Sequence, residues 1–416
     1  MINPDDILIE SCIARPSSLR IAIVTETFPP EVNGVAMTLG RIVGGLLHRG
    51  HSVQLIRPRQ ASDSGTSTLD GVDEVLCRGI PIPNYKDLRL GLPMKSRLTK
   101  IWQGRRPDIV HVVTEGPLGW SAVAAARKLM LPITSSFHTN FHSYSQHYGL
   151  GLLKSPIESY LRKLHNRTRA TMVPTKALMH ELQDRGFKNV KLLSRGVATD
   201  LFSPAKRSQS LRESWGASPD DVVVLFVSRL AMEKNVGLAI SAFRAIKLRL
   251  PSAKLVFVGD GPMRKQLEEA CPEAIFAGVR IDEDLAAHYA SGDVFLFPSL
   301  TETFGNVVPE ALASGLAVLS YDKAGARELI ITGQNGVLVP AGEELGFIKA
   351  AVDLATNMNK VQKVRQAAAA SVAHLGWDAI YSSFEETLYS VLEQHDLRFS
   401  KVSNPPRPES VSLSNA

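Results

Sequence analysis

Pro298-Ser-Leu-Thr-Glu302-Thr-Phe304-Gly-Asn-Val-Val-Pro309-Glu310-Ala-Leu-Ala-Ser-Gly315 is the stretch that decides how this chain is read. It follows Val294 to Phe297, a short run of β-branched and aromatic residues with the pattern of a buried strand. Thr301, Thr303, Gly305 and Asn306 then make a polar turn. A helix opens at about Val307, with Pro309 in its first turn, where a missing N–H costs little. Glu302 therefore sits in the loop and Glu310 on the helix. Between them the N–H groups of Phe304, Gly305 and Asn306 face outward at a helix N-terminus, an anion-binding geometry. Carboxylates that accept sugar hydroxyls, flanking N–H groups that receive phosphate, match what a nucleotide sugar offers. Taken singly, each Glu also reads as an ordinary acid at a helix start.

With 416 residues the chain is long enough for two domains, each with its own core. Hydrophobic content of 44% and charged content of 21% exclude disorder as the organising theme. Cys12, Cys77 and Cys271 are odd in number and widely spaced, which argues for a reducing compartment and against a disulfide framework or cysteine metal site. No apolar run approaches the roughly 20 residues of a membrane-spanning helix. The N-terminal residues lack a signal-peptide pattern, so the expected location is cytoplasmic. A formal charge of +6 points to an anionic partner. Nucleic acid is not expected, because the basic residues lack interleaved aromatics.

Arg20 to Thr25 reads as the first strand. A Pro-rich loop and the helix from Gly34 follow, with Val35, Leu39, Ile42, Val43, Leu46 and Leu47 on one face. Gly-x-Gly-x-x-Gly is absent there, which argues against a dehydrogenase. Gly34 is either a place where backbone meets phosphate or a turn that needs glycine for its backbone angle. Strands alternating with helices up to Val190–Leu193 imply a mostly parallel sheet. His138 falls at the carboxyl end of the fifth of these, where open sheets bind ligands. A second series starts at Val222–Val227. Arg229 lies just past this strand and Lys234 just before a helix, where both can point into a crevice or form surface pairs with Glu233. Gly259-Asp-Gly-Pro262 turns out of the next strand.

The two glutamates with seven residues between them, the first inside Pro-Ser-x-x-Glu-x-Phe-Gly and the second opening Glu-Ala-x-Ala-Ser-Gly, resemble the signature of retaining glycosyltransferase family 4, over roughly Arg20 to Leu392. The resemblance implies an α/β GT-B fold, two Rossmann-like doubly wound domains facing a cleft. The expected division is an irregular arm at 1–19, an acceptor-binding domain at 20–195 and a linker at 196–216. A nucleotide-sugar domain at 217–375, a helix crossing back at 376–396 and a disordered tail at 397–416 complete it. By the same resemblance Arg229, Lys234 and Gly34 hold the donor diphosphate and Glu310 the ribose. Glu302, His138 and the Phe304–Asn306 backbone face the donor sugar, and the Gly259 loop lies by the nucleotide. Ala198 stands where family members carry Asp in Gly-Val-Asp.

No catalytic base remains, which fits a front-face substitution in which the leaving phosphate accepts the acceptor proton. No metal or other cofactor is expected besides the nucleoside diphosphate sugar. The branch resembled includes GDP-mannose-dependent mannosyltransferases and glycolipid synthases using UDP-sugars. Residues 78–106 carry a net charge of +7, and 154–169 set Ile157, Tyr160, Leu161 and Leu164 against five cations. Either segment could lie on anionic lipid or be a solvated face, and the lipid reading favours a lipid acceptor over a soluble glycan. A retaining glycosidase would have no use for Arg229 and Lys234. A GT-B epimerase would form product without an acceptor, and an inactive membrane-binding module would not need the intact quartet.

Overall fold

A computed structural model describes residues 16–31, 33–60, 63, 70–82, 85–138 and 154–403. The arm at 1–15, His142, His147 and residues 404–416 lie outside them. The described chain forms two parallel sheets. The first contains β1 (Arg20–Val24), β2 (Ser52–Pro58), β3 (Val72–Cys77), β6 (Ile109–Val112), β7 (Ile133–Ser136), β8 (Ala170–Val173) and β9 (Val190–Leu192), in the order β3-β2-β1-β6-β7-β8-β9. A small antiparallel hairpin, β4 (Gly79–Ile82) and β5 (Tyr85–Gly91), stands apart from it. The second comprises β10 (Val223–Val227), β11 (Lys254–Val258), β12 (Ile275–Gly278), β13 (Val294–Phe297), β14 (Ala317–Tyr321) and β15 (Gly336–Val339), ordered β12-β11-β10-β13-β14-β15. Both orders reverse beside their first strand, between β1 and β6 and between β10 and β13. Crevices open at such reversals beyond the carboxyl ends of the strands.

β10 and β13 are fully buried apolar runs, as strands covered on both faces must be. Phe226, Phe243 and Phe257 fill one side of the second sheet, and Phe295, Val308 and Leu312 the other. On one face of the first sheet, Leu39, Val43 and Leu46 of helix Gly34–His48 pack with Ile21 and Ile23. Leu98, Trp102 and Leu118 cover the opposite face.

The last helix, Trp377–Ser403, crosses back to the first sheet and buries Ile380, Phe384, Leu388 and Val391 there. Each fully buried apolar side chain of this size contributes about 1.5–3 kcal/mol. Glu385 fixes its register, receiving Arg49 at 2.6 Å and His51 at 2.7 Å. The helix reaches Ser403, so residues 397–403, expected as part of a disordered tail, are helical. Asn357 separates the two helices that precede this one, Glu344–Thr356 and Met358–Val372.

Segment 196–216 is no slack connector. It contains the helix Gln209–Ser214, and Arg207 and Arg212 hold Asp293 at 2.9 and 3.0 Å. Phe202 and Trp215 enter the core beside the second sheet.

Candidate functional site

The loop after β13 and the loop after β10 meet at the second reversal. The Lys234 ammonium is ion-paired with the Glu302 carboxylate, which also accepts the Ser299 hydroxyl at 2.9 Å. Lys234 lies 6.0 Å from the centre of the Phe297 ring. The loops are stitched by Leu300 N–H donating to the Glu233 carbonyl at 3.1 Å, so Lys234 and Glu302 face one another by construction. Arg229 pairs with Glu233, the surface pairing weighed from sequence, and its side chain is 46% exposed. That exposure leaves the guanidinium able to turn toward a ligand. Gly259 has φ +128, and a Cβ there would lie 2.1 Å from the Ser228 carbonyl. Its N–H is already spent on the Gly278 carbonyl at 2.8 Å. Gly259 therefore seats the Ser228–Leu230 loop closely and has no N–H left for a nucleotide.

Glu310 lies on the short helix Val307–Ala313, half-buried, and accepts the Tyr289 hydroxyl at 2.9 Å. Burial pushes its carboxyl up to about 7, against opposing contributions from the Tyr289 hydrogen bond and the Arg41 charge. Tyr289 occupies one oxygen and leaves the other for a ligand hydroxyl. Among the described residues the N–H groups of Phe304, Gly305 and Asn306 have no acceptor. Gly305 has φ +85, so glycine is required for that turn. The buried Phe304 ring anchors it, and the Phe304 carbonyl receives Gly325 N–H at 2.8 Å.

The opposite wall belongs to the first sheet. Asn33 caps helix Gly34–His48, its Oδ1 accepting from Val35 at 3.1 Å and Ala36 at 2.9 Å. Gly34 has no positive φ, and a Cβ there would approach nothing nearer than Asn306 Nδ2 at 3.7 Å. The turn therefore does not need glycine for its backbone angle. Asn306 Nδ2 donates to Thr38 Oγ1 at 3.4 Å, and Thr303 Oγ1 to the His138 carbonyl at 3.1 Å, so the motif loop touches both Gly34's helix and His138. His138 Nδ1 accepts from Arg195 at 2.7 Å, and burial holds the ring's pKa well below the ordinary histidine value, with the Arg195 charge adding to the effect.

Nearby, Glu26 and Glu115 flank the first reversal. Burial raises Glu26 to about 7, and one of its oxygens accepts Leu118 N–H at 3.3 Å at a helix start. Tyr289, Arg195 and Glu26 had no signal in the sequence. Tyr289 is one apolar-face residue of helix Asp282–Ser291, Arg195 precedes a motif without being part of it, and Glu26 sits in a loop. Among the described residues no group of three or more His, Cys, Asp or Glu is arranged to hold a metal, and no helix is long and apolar enough to cross a membrane.

The basic segments differ. In helix Lys95–Gly104, Lys95, Arg97 and Lys100 are exposed. In the second segment Arg162 pairs with Glu158 at 3.6 Å and Arg167 stacks 4.7 Å over Trp120, so its arginines are largely engaged within the protein. Exposed Ile80 and Leu90 face each other in the hairpin within the first segment.

Residues 32–201 match the family model for Glycosyltransferase Family 4, and residues 221–357 that for Glycosyl transferases group 1. A GDP-mannose-dependent alpha-mannosyltransferase of Mycobacterium tuberculosis is 35% identical over 87% of this chain and 94% of its own. An alpha-monoglucosyldiacylglycerol synthase of Acholeplasma laidlawii is 26% identical over 92% of this chain and all of its own. The crystal structure of Anabaena Alr3699/HepE in complex with UDP superposes with a TM-score of 0.73 at 20% identity, over 89% of this chain and all of that one. The shared fold is GT-B.

Proposed function

Because this chain belongs to glycosyltransferase family 4, we propose that it transfers mannose from GDP-mannose, with retention, to a hydroxyl of a membrane lipid. That it is a hexosyltransferase follows from the family; donor, acceptor and the roles of single residues are our reading. The observation that carries it is the meeting of two walls at the two sheet reversals. Lys234, Glu302 and Glu310 stand on one wall, Gly34 and His138 on the other, with Asn306 and Thr303 touching across. Glu310 accepts a ribose hydroxyl through the oxygen Tyr289 leaves free. Gly34 lets backbone approach the diphosphate, while the unpaired N–H groups at Phe304–Asn306 and the His138 ring receive the sugar.

When the glycosidic bond breaks, negative charge grows on the departing diphosphate. Lys234 stabilises it, with Arg229 turning in from Glu233, so no metal is needed for charge neutralisation. The same phosphate takes the acceptor proton. GDP-mannose is favoured by the donor in the name of the mycobacterial relative, and a lipid by the diacylglycerol in that of the Acholeplasma one. Exposed Lys95, Arg97 and Lys100, beside the apolar Ile80–Leu90 pair, suit the anionic inner face of a membrane. The test is melting the protein with GDP, UDP and ADP in parallel. The matching base stabilises by about 2.7 kcal/mol at 100 times its dissociation constant. Stabilisation by UDP or ADP alone overturns the donor assignment, and transfer to a water-soluble glycan but not to lipid overturns the acceptor.

A further inference from the structure

His138 is gripped at three of its four polar positions. Its backbone N–H points to Glu115 Oε1 at 3.4 Å, its carbonyl accepts Thr303 Oγ1 at 3.1 Å, and its Nδ1 lies 2.7 Å from Arg195 Nη2. A guanidinium has five donors and no acceptor. The Arg195 contact can exist only if Nδ1 carries a lone pair, which puts the ring proton on Nε2. We propose that Arg195 is a positioning residue that fixes His138 as the neutral Nε2–H tautomer, so that the ring presents one hydrogen-bond donor to the transferred sugar. This rests on His138 facing the donor sugar, as proposed above.

The surroundings agree. Arg195 is 7% exposed, so its charge is screened little by water. Among the described residues, the other titratable groups near His138 are His111 from β6, His165 from helix Lys154–His165 and Glu115 from the loop after β6. His111 is itself held neutral by burial, its pKa pushed down to about 3, and bonds Thr134 at 2.9 Å and Ser136 at 3.1 Å. His165 Nε2 lies 3.5 Å from Glu115 Oε1, so that carboxylate is shared between His165 and the His138 backbone. Among the described residues, Arg195 is therefore the one full charge bonded directly to the His138 ring, and it repels a second proton. A neutral ring that only donates suits a sugar hydroxyl oxygen, and it stays available over the physiological range without titrating. Met at position 195 removes the donor and the charge while keeping an unbranched side chain, whereas Lys keeps both.

The experiment reads ring protonation directly, by histidine ¹⁵N chemical shifts of the full chain from pH 5.5 to 8, with His138→Ala assigning the resonance. Wild type is expected to show Nε2–H throughout. An Nδ1–H tautomer, or a doubly protonated ring at neutral pH, overturns the proposal. Arg195→Met leaves the burial that depresses the ring pKa in place, so the expected change is in the tautomer: an Nδ1–H signal appears and kcat falls at every pH from 5.5 to 8. Affinity for free nucleoside diphosphate stays unchanged, and Arg195→Lys restores the Nε2–H signal and kcat. If Arg195→Met keeps both the Nε2–H signal and wild-type kcat, Arg195 is not what positions the ring. Should the wild-type ring be Nε2–H while His138→Ala turns over normally, the pairing stands and the donor-sugar reading of His138 fails instead.

Discussion

Replacing Gly34 by Ala separates the two reasons a glycine can stand at the start of helix Gly34–His48. A turn that requires glycine shows a positive φ, and Gly34 has none. The added methyl meets nothing closer than 3.7 Å, an ordinary contact with Asn306 Nδ2. The ligand-free protein should therefore not be harmed. Removing backbone freedom from the unfolded chain at a compatible site stabilises by about 0.4–1 kcal/mol, so the melting temperature should hold or rise slightly. The donor is affected differently. If its diphosphate rests against the Gly34 backbone, the methyl stands in its path, and an overpacked contact costs about 1–3 kcal/mol, or roughly 5- to 150-fold in nucleotide affinity. The assay is a melt without ligand and a calorimetric titration with GDP on the same preparation. Wild-type affinity in Gly34→Ala would refute the phosphate reading, and a lowered melting temperature would show that the helix start needs glycine after all.

Lys234→Ala should lower kcat at saturating donor by about 2.7–4 kcal/mol, roughly 10²- to 10³-fold, as expected for removing one donor that stabilises developing charge. Single-turnover rates with donor in excess check this, and near-normal turnover would exclude Lys234 from the chemistry. Glu310 has a raised pKa near 7, so its neutral form is the resident one in acid and its carboxylate the better acceptor for ribose hydroxyls. GDP affinity should strengthen from pH 6 to 8, while the ligand-free protein loses stability over the same rise because the buried group must ionise. Glu310→Gln should flatten both profiles and weaken GDP by about 1–3 kcal/mol. Reversing the charge of Lys95, Arg97 and Lys100, all exposed, should weaken binding to anionic vesicles by about 1 kcal/mol per removed cation and spare soluble turnover. Vesicle sedimentation at low salt measures it, and a wild-type protein that stays in the supernatant would leave that surface a solvated face.

The donor wall was legible because its residues are contiguous. A buried strand, a polar turn with glycine at positive φ and a short helix put Glu302 and Glu310 on either side of unpaired N–H groups, and each step is local. The parallel order of both sheets was legible from alternation alone. Residues that act across the fold were not. Tyr289 and Arg195 owe their roles to partners 21 and 57 positions away, and neither residue type nor spacing announces such a contact. The hairpin Gly79–Gly91 escaped because Pro81, Pro83 and Gly91 read as loop residues, while the strand pairing depends on packing at its base, where Gly91 sits against Leu118. Lys234 and Glu302 are the instructive case. The family resemblance implied the cation at the diphosphate and the carboxylate at the sugar, but nothing in the sequence showed that the two pair with each other. On the reading proposed above, a diphosphate that draws Lys234 away leaves Glu302 with the Ser299 hydroxyl alone and opens it to sugar hydroxyls. On that reading donor recognition is coupled through one ion pair, and a nucleotide without its sugar leaves Glu302 short of one partner, which weighs against the product relative to the intact donor.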